Sequence, residues 1–191
     1  MPDFSLTDDQ RLLARSVRAF AEAEIAPHVR QWDDAQHFPT ELLPKLASLG
    51  LMGIQIPEAY GGAGMSAVDY CLALEELARV DPSVSLSVAA HNGLGLAHLA
   101  LFGSEAQKQR YVTALATGAK LAAWALTEAG SGSDAAAMRT TATRDGNSWV
   151  LDGSKCFITH GASADILVVM AVTDRAKGPK GISAFVIERG T

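Results

Sequence analysis

Up to about residue 120, apolar residues recur at the spacing of a helix face; beyond it they alternate at the spacing of a strand. Leu13, Val17, Phe20 and Ala21 form one stripe, with Arg11, Arg15 and Glu22 off it. Thr7 is placed to cap this first helix and Pro27 to end it. A second helix is predicted from Thr40, with Leu42, Leu43, Leu46 and Leu49 inward and Gly50 as its stop. Pro44 falls in its first turn, where proline is tolerated. The breaker-rich stretch IPEAYGGAGMS reads as a loop of about ten residues. Ser66 caps a third helix that buries Val68, Cys71, Leu72, Leu74 and Leu77 and stops before Asp81-Pro82. A fourth helix, from about Ser83 to Phe102, is apolar on every side, which predicts the most buried place in the domain. Ser104 caps a fifth, amphipathic helix over EAQKQRYVTALATG.

The second half reads as strands. TTATRD and SWVLDG flank Gly146-Asn147, a hairpin signal. SKCFITH, ADILVVMAV and GISAFVIE follow, the last two parted by the loop Lys177–Gly181. Short strands in this succession predict an antiparallel meander or the start of a barrel. The fold class is therefore α+β and multidomain. An all-α domain at 1–119 precedes an antiparallel, barrel-like β-domain at 120–191. A sheet ending near Thr191 would carry an edge that needs cover.

Composition narrows the picture. Hydrophobic residues make up 48% of the 191, enough for well-filled cores. A net charge of -5, with the basic residues scattered, argues against a nucleic-acid or anionic-membrane partner. Cys71 and Cys156 alone do not make a disulfide framework and point to a reducing compartment. Met1-Pro2-Asp3 has neither the basic nor the apolar region of a secretory signal, so the protein is not expected to be secreted. The apolar run Ile166–Val172 is too short to span a bilayer, and no membrane span is expected.

The stretch ALTEAGSGSD, Ala125 to Asp134, follows the apolar run Leu121–Trp124 and carries the candidate chemistry. Gly130 to Ala135 fits the G-x-G-x-x-A of a dinucleotide fold, but no helix of useful length follows before TTATRD, so a βαβ reading fails. Neither Ser131 nor Ser133 has the G-x-S-x-G flanks of a nucleophile elbow. The five histidines show no metal-ligand spacing; His91 and His98 read as hydrogen-bonded or interface residues. A plain Gly/Ser turn remains open for the stretch taken alone. Set against that, a glycine-rich bend offers backbone N–H groups to an anion. Thr127 and Ser133 add hydroxyls, Trp124 a flat face, and Phe157-Ile158-Thr159 a second aromatic-hydroxyl stretch. A planar cofactor with a pyrophosphate tail would use all of these.

These residues resemble the acyl-CoA dehydrogenase family. ALTEAGSGSDAAA is similar to its signature, and DGSKCFITHGASADILVVMAVT to its flavin-strand segment. IPEAYGGAGMSAVDYCLALEELARVDPSVS and GSEAQKQRYVTALATG resemble its helical domain in order and spacing. Ala129 stands where proline is frequent, Phe157 where tryptophan or phenylalanine occurs, and His160 where asparagine is common.

The resemblance implies an N-terminal helical domain, a central β-domain and a C-terminal helical domain. It implies FAD as cofactor and oxidation of an acyl-CoA thioester across Cα and Cβ to the trans-2-enoyl-CoA. Electrons would leave to an electron-transfer flavoprotein, from a homotetramer, in a bacterial-type cytoplasm or the mitochondrial matrix. By position, Trp124, Leu126 and Thr127 are expected along the isoalloxazine. Gly132 and Ser133 fall at the FAD diphosphate, Ser133 also at the pantetheine arm. Phe157, Ile158 and Thr159 are expected to flank the ring, with Thr159 near N5. Ala90 and Leu94 are candidates for lining the acyl tail, with core packing as the alternative. The family's catalytic glutamate lies in the C-terminal domain, so no catalytic residue is assigned in this chain and no metal is expected. The 191 residues alone are expected to be inactive and to hold FAD poorly. Glu128 is expected to hold the bend through backbone N–H groups. A non-catalytic FAD- or acyl-CoA-binding or assembly module, and an acyl-CoA oxidase, are the alternatives.

Overall fold

A computed structural model describes residues 5–191. The reading of Met1-Pro2-Asp3 lies outside the described residues. Two compact units divide the chain, one running to Ala119 and the other spanning Lys120–Thr191.

In the first unit, short-range caps set the helix starts. The Thr7 hydroxyl accepts from the Gln10 N–H at 3.2 Å and the Gln10 side chain accepts from the Thr7 N–H at 3.1 Å. Helix α1 (Asp8–Glu24) follows, burying Val17 and Ala21. A short helix α2 (Val29–Asp34), absent from the sequence reading, holds the stacked rings of His28 and Trp32, 5.2 Å apart. A 3-10 turn at Thr40–Leu42 leads into α3 (Leu43–Ser48), which stops at Gly50 with φ 76.

Helix α4 (Ala67–Ala78) opens on a Ser66–Asp69 reciprocal cap. Its inward face is not the expected one. Ala73, Glu76 and Leu77 are buried, whereas Val68 and Cys71 are exposed and Leu72 and Leu74 half-buried. The reason is electrostatic: Arg18 on α1 grips the Glu76 carboxylate with two hydrogen bonds, 2.8 and 2.6 Å, and draws that side of α4 inward. Those bonds also hold the Glu76 carboxyl below its usual range against the opposing effect of burial.

The fourth helical stretch runs from Pro82 to Phe102, capped by the Asp81 carboxylate on the Ser83 and Val84 N–H groups. It comprises α5 (Pro82–Ala89), a wide-turn π segment (Ala90–Leu96) and α6 (Ala97–Phe102). At the widened turn, side chains take over two backbone carbonyls. Asn92 Nδ2 donates to Val88 O at 3.0 Å, and Tyr70 OH to Ala89 O at 3.1 Å. The stretch is long and apolar enough to cross a bilayer by length and composition, but half of its most apolar window is buried. That is the pattern of a core helix. It is not buried all round as its composition predicts, since Leu86, Leu101 and Phe102 remain exposed. Ser104 caps α7 (Glu105–Gln107), which continues through a second π segment (Lys108–Val112) into α8 (Thr113–Ala116).

The second unit is a sheet of β1 (Ala122–Ala125), β2 (Thr141–Asp145), β3 (Ser148–Asp152), β4 (Ile166–Val172) and β5 (Ile182–Glu188). The β2–β3 hairpin turns at Gly146-Asn147, and β4 and β5 pair antiparallel from Ile166↔Glu188 to Val172↔Ile182. The sheet is mixed rather than an antiparallel meander. β1 lies parallel to β4 from Ala122↔Ile166 to Ala125↔Val169, and β2 meets β4 in parallel at Thr141↔Val172. β4 is apolar almost throughout and suits a strand flanked on both sides. SKCFITH is not a strand. Phe157 and His160 have φ of 56 and 64, which no pleated strand accommodates.

The loop after residue 56 folds back on the turn before it, with Ala63 N–H on Gly53 O and Gly64 N–H on Ile56 O. A Cβ on Gly62 would lie 2.1 Å from Ile56 O and 2.5 Å from Ile56 Cβ. We expect Gly62→Ala to destabilise the protein by about 1–3 kcal/mol through this overpacking. Gly130→Ala, with nothing near the added carbon, is expected to leave the urea midpoint close to wild type. Equal midpoints for the two variants would contradict this account.

Candidate functional site

β1 delivers Leu126 and Thr127 to a tight bend. Glu128 and Ser131 exchange backbone hydrogen bonds of 3.0 and 3.1 Å, and Ser131 Oγ donates to Asp134 O at 2.8 Å. Ser131 is thereby committed to the turn and buried. Gly132 and Ser133 stand exposed beyond it.

Glu128 turns inward from this bend. Its carboxylate accepts from Arg139 N–H at 2.6 Å, Thr140 N–H at 3.0 Å and Lys155 Nζ at 2.8 Å. It ties the bend to the start of β2, eleven and twelve residues on, as a structural group. Burial alone would raise its pKa. The hydrogen bonds from Lys155 and the two backbone N–H groups outweigh burial and hold it at about 2. The Thr140 oxygen itself makes no hydrogen bond among the described residues, so the Lys155 and backbone N–H contacts carry the effect.

The aromatic-hydroxyl segment is laid alongside the bend. Cys156 N–H donates to Thr127 O at 2.9 Å and Lys155 Nζ to Leu126 O at 2.8 Å. Further on, His160 Nδ1 meets Ala122 O at 3.0 Å. Burial lowers the His160 pKa, opposed in part by that carbonyl, so the ring is neutral at pH 7. The structure therefore brings Trp124, Leu126, Thr127, Phe157, Ile158 and Thr159 into neighbouring stretches of one unit. Trp124, Leu126, Thr127, Ile158 and Thr159 are half-buried, and Phe157 is 93% exposed. Ala90 and Leu94 lie in the helical unit, both on the π segment. Ala90 is buried and Leu94 exposed, so they do not share one environment.

Three observations match this surface to a flat ligand rich in acceptors. Among the described residues, none hydrogen-bonds the hydroxyls of Thr127, Ser133 or Thr159, whereas the neighbouring Ser131 hydroxyl is used. A Cβ on Gly132 would touch nothing, so the glycine answers no packing need of the described residues. Phe157 keeps an unfavourable backbone conformation while exposing its ring. Among the described residues no group of three or more His, Cys, Asp and Glu is placed to hold a metal ion. A cavity of about 730 Å³ in the helical unit is lined by Glu24, His28, Trp32, His37, Glu41 and Lys45. Its charges are matched internally, Glu24 to Lys45 and Glu41 to His37, and it holds none of the residues just described.

Sequence reasoning assigned no role to Lys155. The signal was a lysine inside a stretch otherwise read as a strand, with a lone carboxylate in the Gly/Ser bend to meet it.

A helical unit followed by a β-unit with this bend is a recognised architecture. Residues 7–119 match the family model "Acyl-CoA dehydrogenase, N-terminal domain", and residues 123–191 match "Acyl-CoA dehydrogenase, middle domain". The chain belongs to the acyl-CoA dehydrogenase family. It is 44% identical over 188 residues to the short-chain specific acyl-CoA dehydrogenase of Clostridium acetobutylicum, covering 98% of this chain and 50% of that protein. It superposes on butyryl-CoA dehydrogenase from Megasphaera elsdenii with a TM-score of 0.95 at 41% identity, covering all of this chain and 51% of that one. A Mycobacterium smegmatis glutaryl-CoA dehydrogenase in complex with FADH2 matches with a TM-score of 0.91 at 36% identity, covering 97% of this chain and 47% of that one. The chain spans about half the length of the curated relatives it matches.

Because the folded pKa of Glu128 lies below the ordinary 4.5, its stabilisation is complete above about pH 4.5 and is lost as pH falls toward 2. That shift corresponds to a contribution on the order of 3 kcal/mol at neutral pH. We expect Glu128→Gln to lower stability at pH 7 by that order, and the gap to wild type to narrow by pH 3. Urea unfolding at the two pH values measures both. A gap that stays constant would rule out the ionised carboxylate as the source.

Proposed function

We propose that this chain supplies the helical and central β parts of a FAD-dependent enzyme that oxidises an acyl-CoA thioester across Cα and Cβ. The observation that carries this reading is the set of unengaged hydroxyls, Thr127 and Ser133 in the bend and Thr159 in the segment that the Cys156 and Lys155 contacts tie to it. The family assignment and the FADH2-bound relative support it.

FAD, when bound, supplies the hydride acceptor. The chain's own residues hold and orient it. N–H groups around Gly132 and Ser133 suit a diphosphate. Trp124, Leu126, Phe157 and Ile158 give flat or apolar faces, and Thr127 and Thr159 offer donors to the polar edges of the ring. Ser133 also serves the pantetheine arm; of the two acyl-tail candidates Leu94 is exposed, while Ala90 is buried and packs in the core of the helical unit. The carboxylate base that takes the α-proton is none of the glutamates of this chain. The same reading includes an electron-transfer flavoprotein as electron acceptor, a homotetrameric assembly, and a cytoplasmic or mitochondrial-matrix location.

The polypeptide at its full natural length is expected to purify yellow and to lose its visible flavin band when butyryl-CoA or longer acyl-CoA thioesters are added without oxygen. No bleaching at any chain length would refute the reading. Rapid peroxide release in air would instead make the enzyme an oxidase. In that protein, Thr159→Val is expected to slow flavin reduction about tenfold to a hundredfold while FAD is retained. An unchanged reduction rate removes the proposed role of Thr159.

A further inference from the structure

We infer that Lys155 is a positioning residue for cofactor binding, acting through the Leu126–Thr127 peptide and not only as the counter-charge of Glu128. The inference rests on the FAD-binding reading above.

Lys155 Nζ makes two contacts at the same distance. One is Glu128 Oε1 at 2.8 Å; the other is the backbone oxygen of Leu126, also at 2.8 Å. A third, weaker contact reaches Met138 Sδ at 3.9 Å. The lysine and glutamate side chains keep only 9% and 8% of their exposure, so the ammonium sits where little water competes for it. A counter-charge needs only the carboxylate. The second contact has a different consequence.

In a planar trans peptide the C=O and N–H of one unit point opposite ways. Leu126 C=O points inward to the ammonium, so the Thr127 N–H points outward from it. Among the described residues, none accepts from that N–H. The next peptide is fixed as well, because Thr127 O accepts from Cys156 N–H at 2.9 Å and Glu128 N–H is used by Ser131 O. Both peptides flanking Thr127 are thus clamped by their carbonyls. The clamp fixes the Thr127 N–H on the side of its peptide opposite the ammonium, and neither that N–H nor the Thr127 hydroxyl has a partner among the described residues. A buried charge on Leu126 O also polarises that peptide and strengthens its N–H as a donor. Without Lys155 the peptide plane is free to turn and the donor is weakened, even where the charge of Glu128 is removed too.

The test uses the full-length protein stripped of flavin, with urea unfolding and FAD titration as separate readouts. Lys155→Met leaves Glu128 buried without its partner and is expected to unfold more easily. Lys155→Met with Glu128→Gln removes both charges. It is expected to regain most of the lost unfolding midpoint and still bind FAD about tenfold more weakly than wild type, the scale of one lost hydrogen bond to a polar ligand. Lys155→Arg, which spans the same two oxygens, is expected to bind within about threefold of wild type. A double variant with wild-type FAD affinity would overturn the positioning role and leave Lys155 as a counter-charge alone. Wild-type protein that takes up no FAD would overturn the function proposed above together with this inference.

Discussion

The β-unit is organised around one buried ion pair. Glu128 and Lys155 face each other at 2.8 Å, both largely withdrawn from water. Taking two such charges out of solvent is unfavourable by several kcal/mol per ion unless their remaining hydrogen-bonding capacity is met. Here it is. The carboxylate also receives the Arg139 and Thr140 N–H groups, and the ammonium also reaches the Leu126 carbonyl. Every one of these partners is backbone. The pair therefore joins three chain segments that share no strand ladder at that point: the end of β1, the start of β2 and the stretch before Phe157.

Much of the local architecture follows from that junction. With Lys155 and Cys156 committed to Leu126 and Thr127, the segment 154–160 cannot extend as a strand. It crosses instead as an irregular loop, pinned again at His160. In the sheet β1 and β5 flank β4, β1 in parallel and β5 antiparallel, which makes the sheet mixed. One charge pair thus holds together the bend and the loop that form the surface.

What the sequence revealed and what it hid divide along the range of the deciding interaction. Thr7, Ser66 and Ser104 were legible as caps because each partner lies three residues away. The change of period near residue 120 was legible because burial repeats along the chain. The face of α4 was not, because Arg18 sits 58 residues from Glu76. The wide turn in the fourth helical stretch was hidden for the same reason, since Tyr70 reaches Ala89 from another helix. At the site, the aromatic and hydroxyl positions could be taken from the motif. Lys155 could not, because its meaning lies in a carboxylate 27 residues earlier.

Local rules are broken in this unit at a few residues, and those residues coincide with the candidate site. Phe157 exposes an aromatic ring from a left-handed backbone, Gly132 sits where a side chain would fit, and three hydroxyls lie unengaged beside a fourth that is used. None of these helps the β-unit fold by itself. Left-handed backbone at a bulky residue costs on the order of 1–3 kcal/mol and persists only where the surroundings over-determine it. The surroundings that do so here are the Lys155 and Cys156 contacts on one side of Phe157 and the His160 contact on the other. The Glu128 carboxylate is met by the Arg139 and Thr140 N–H groups and by Lys155, while the Thr127 N–H and hydroxyl one residue away have no partner among the described residues. A surface built so firmly and left so open is organised for a partner, and the donors and flat faces it presents suit one that is flat and rich in acceptors.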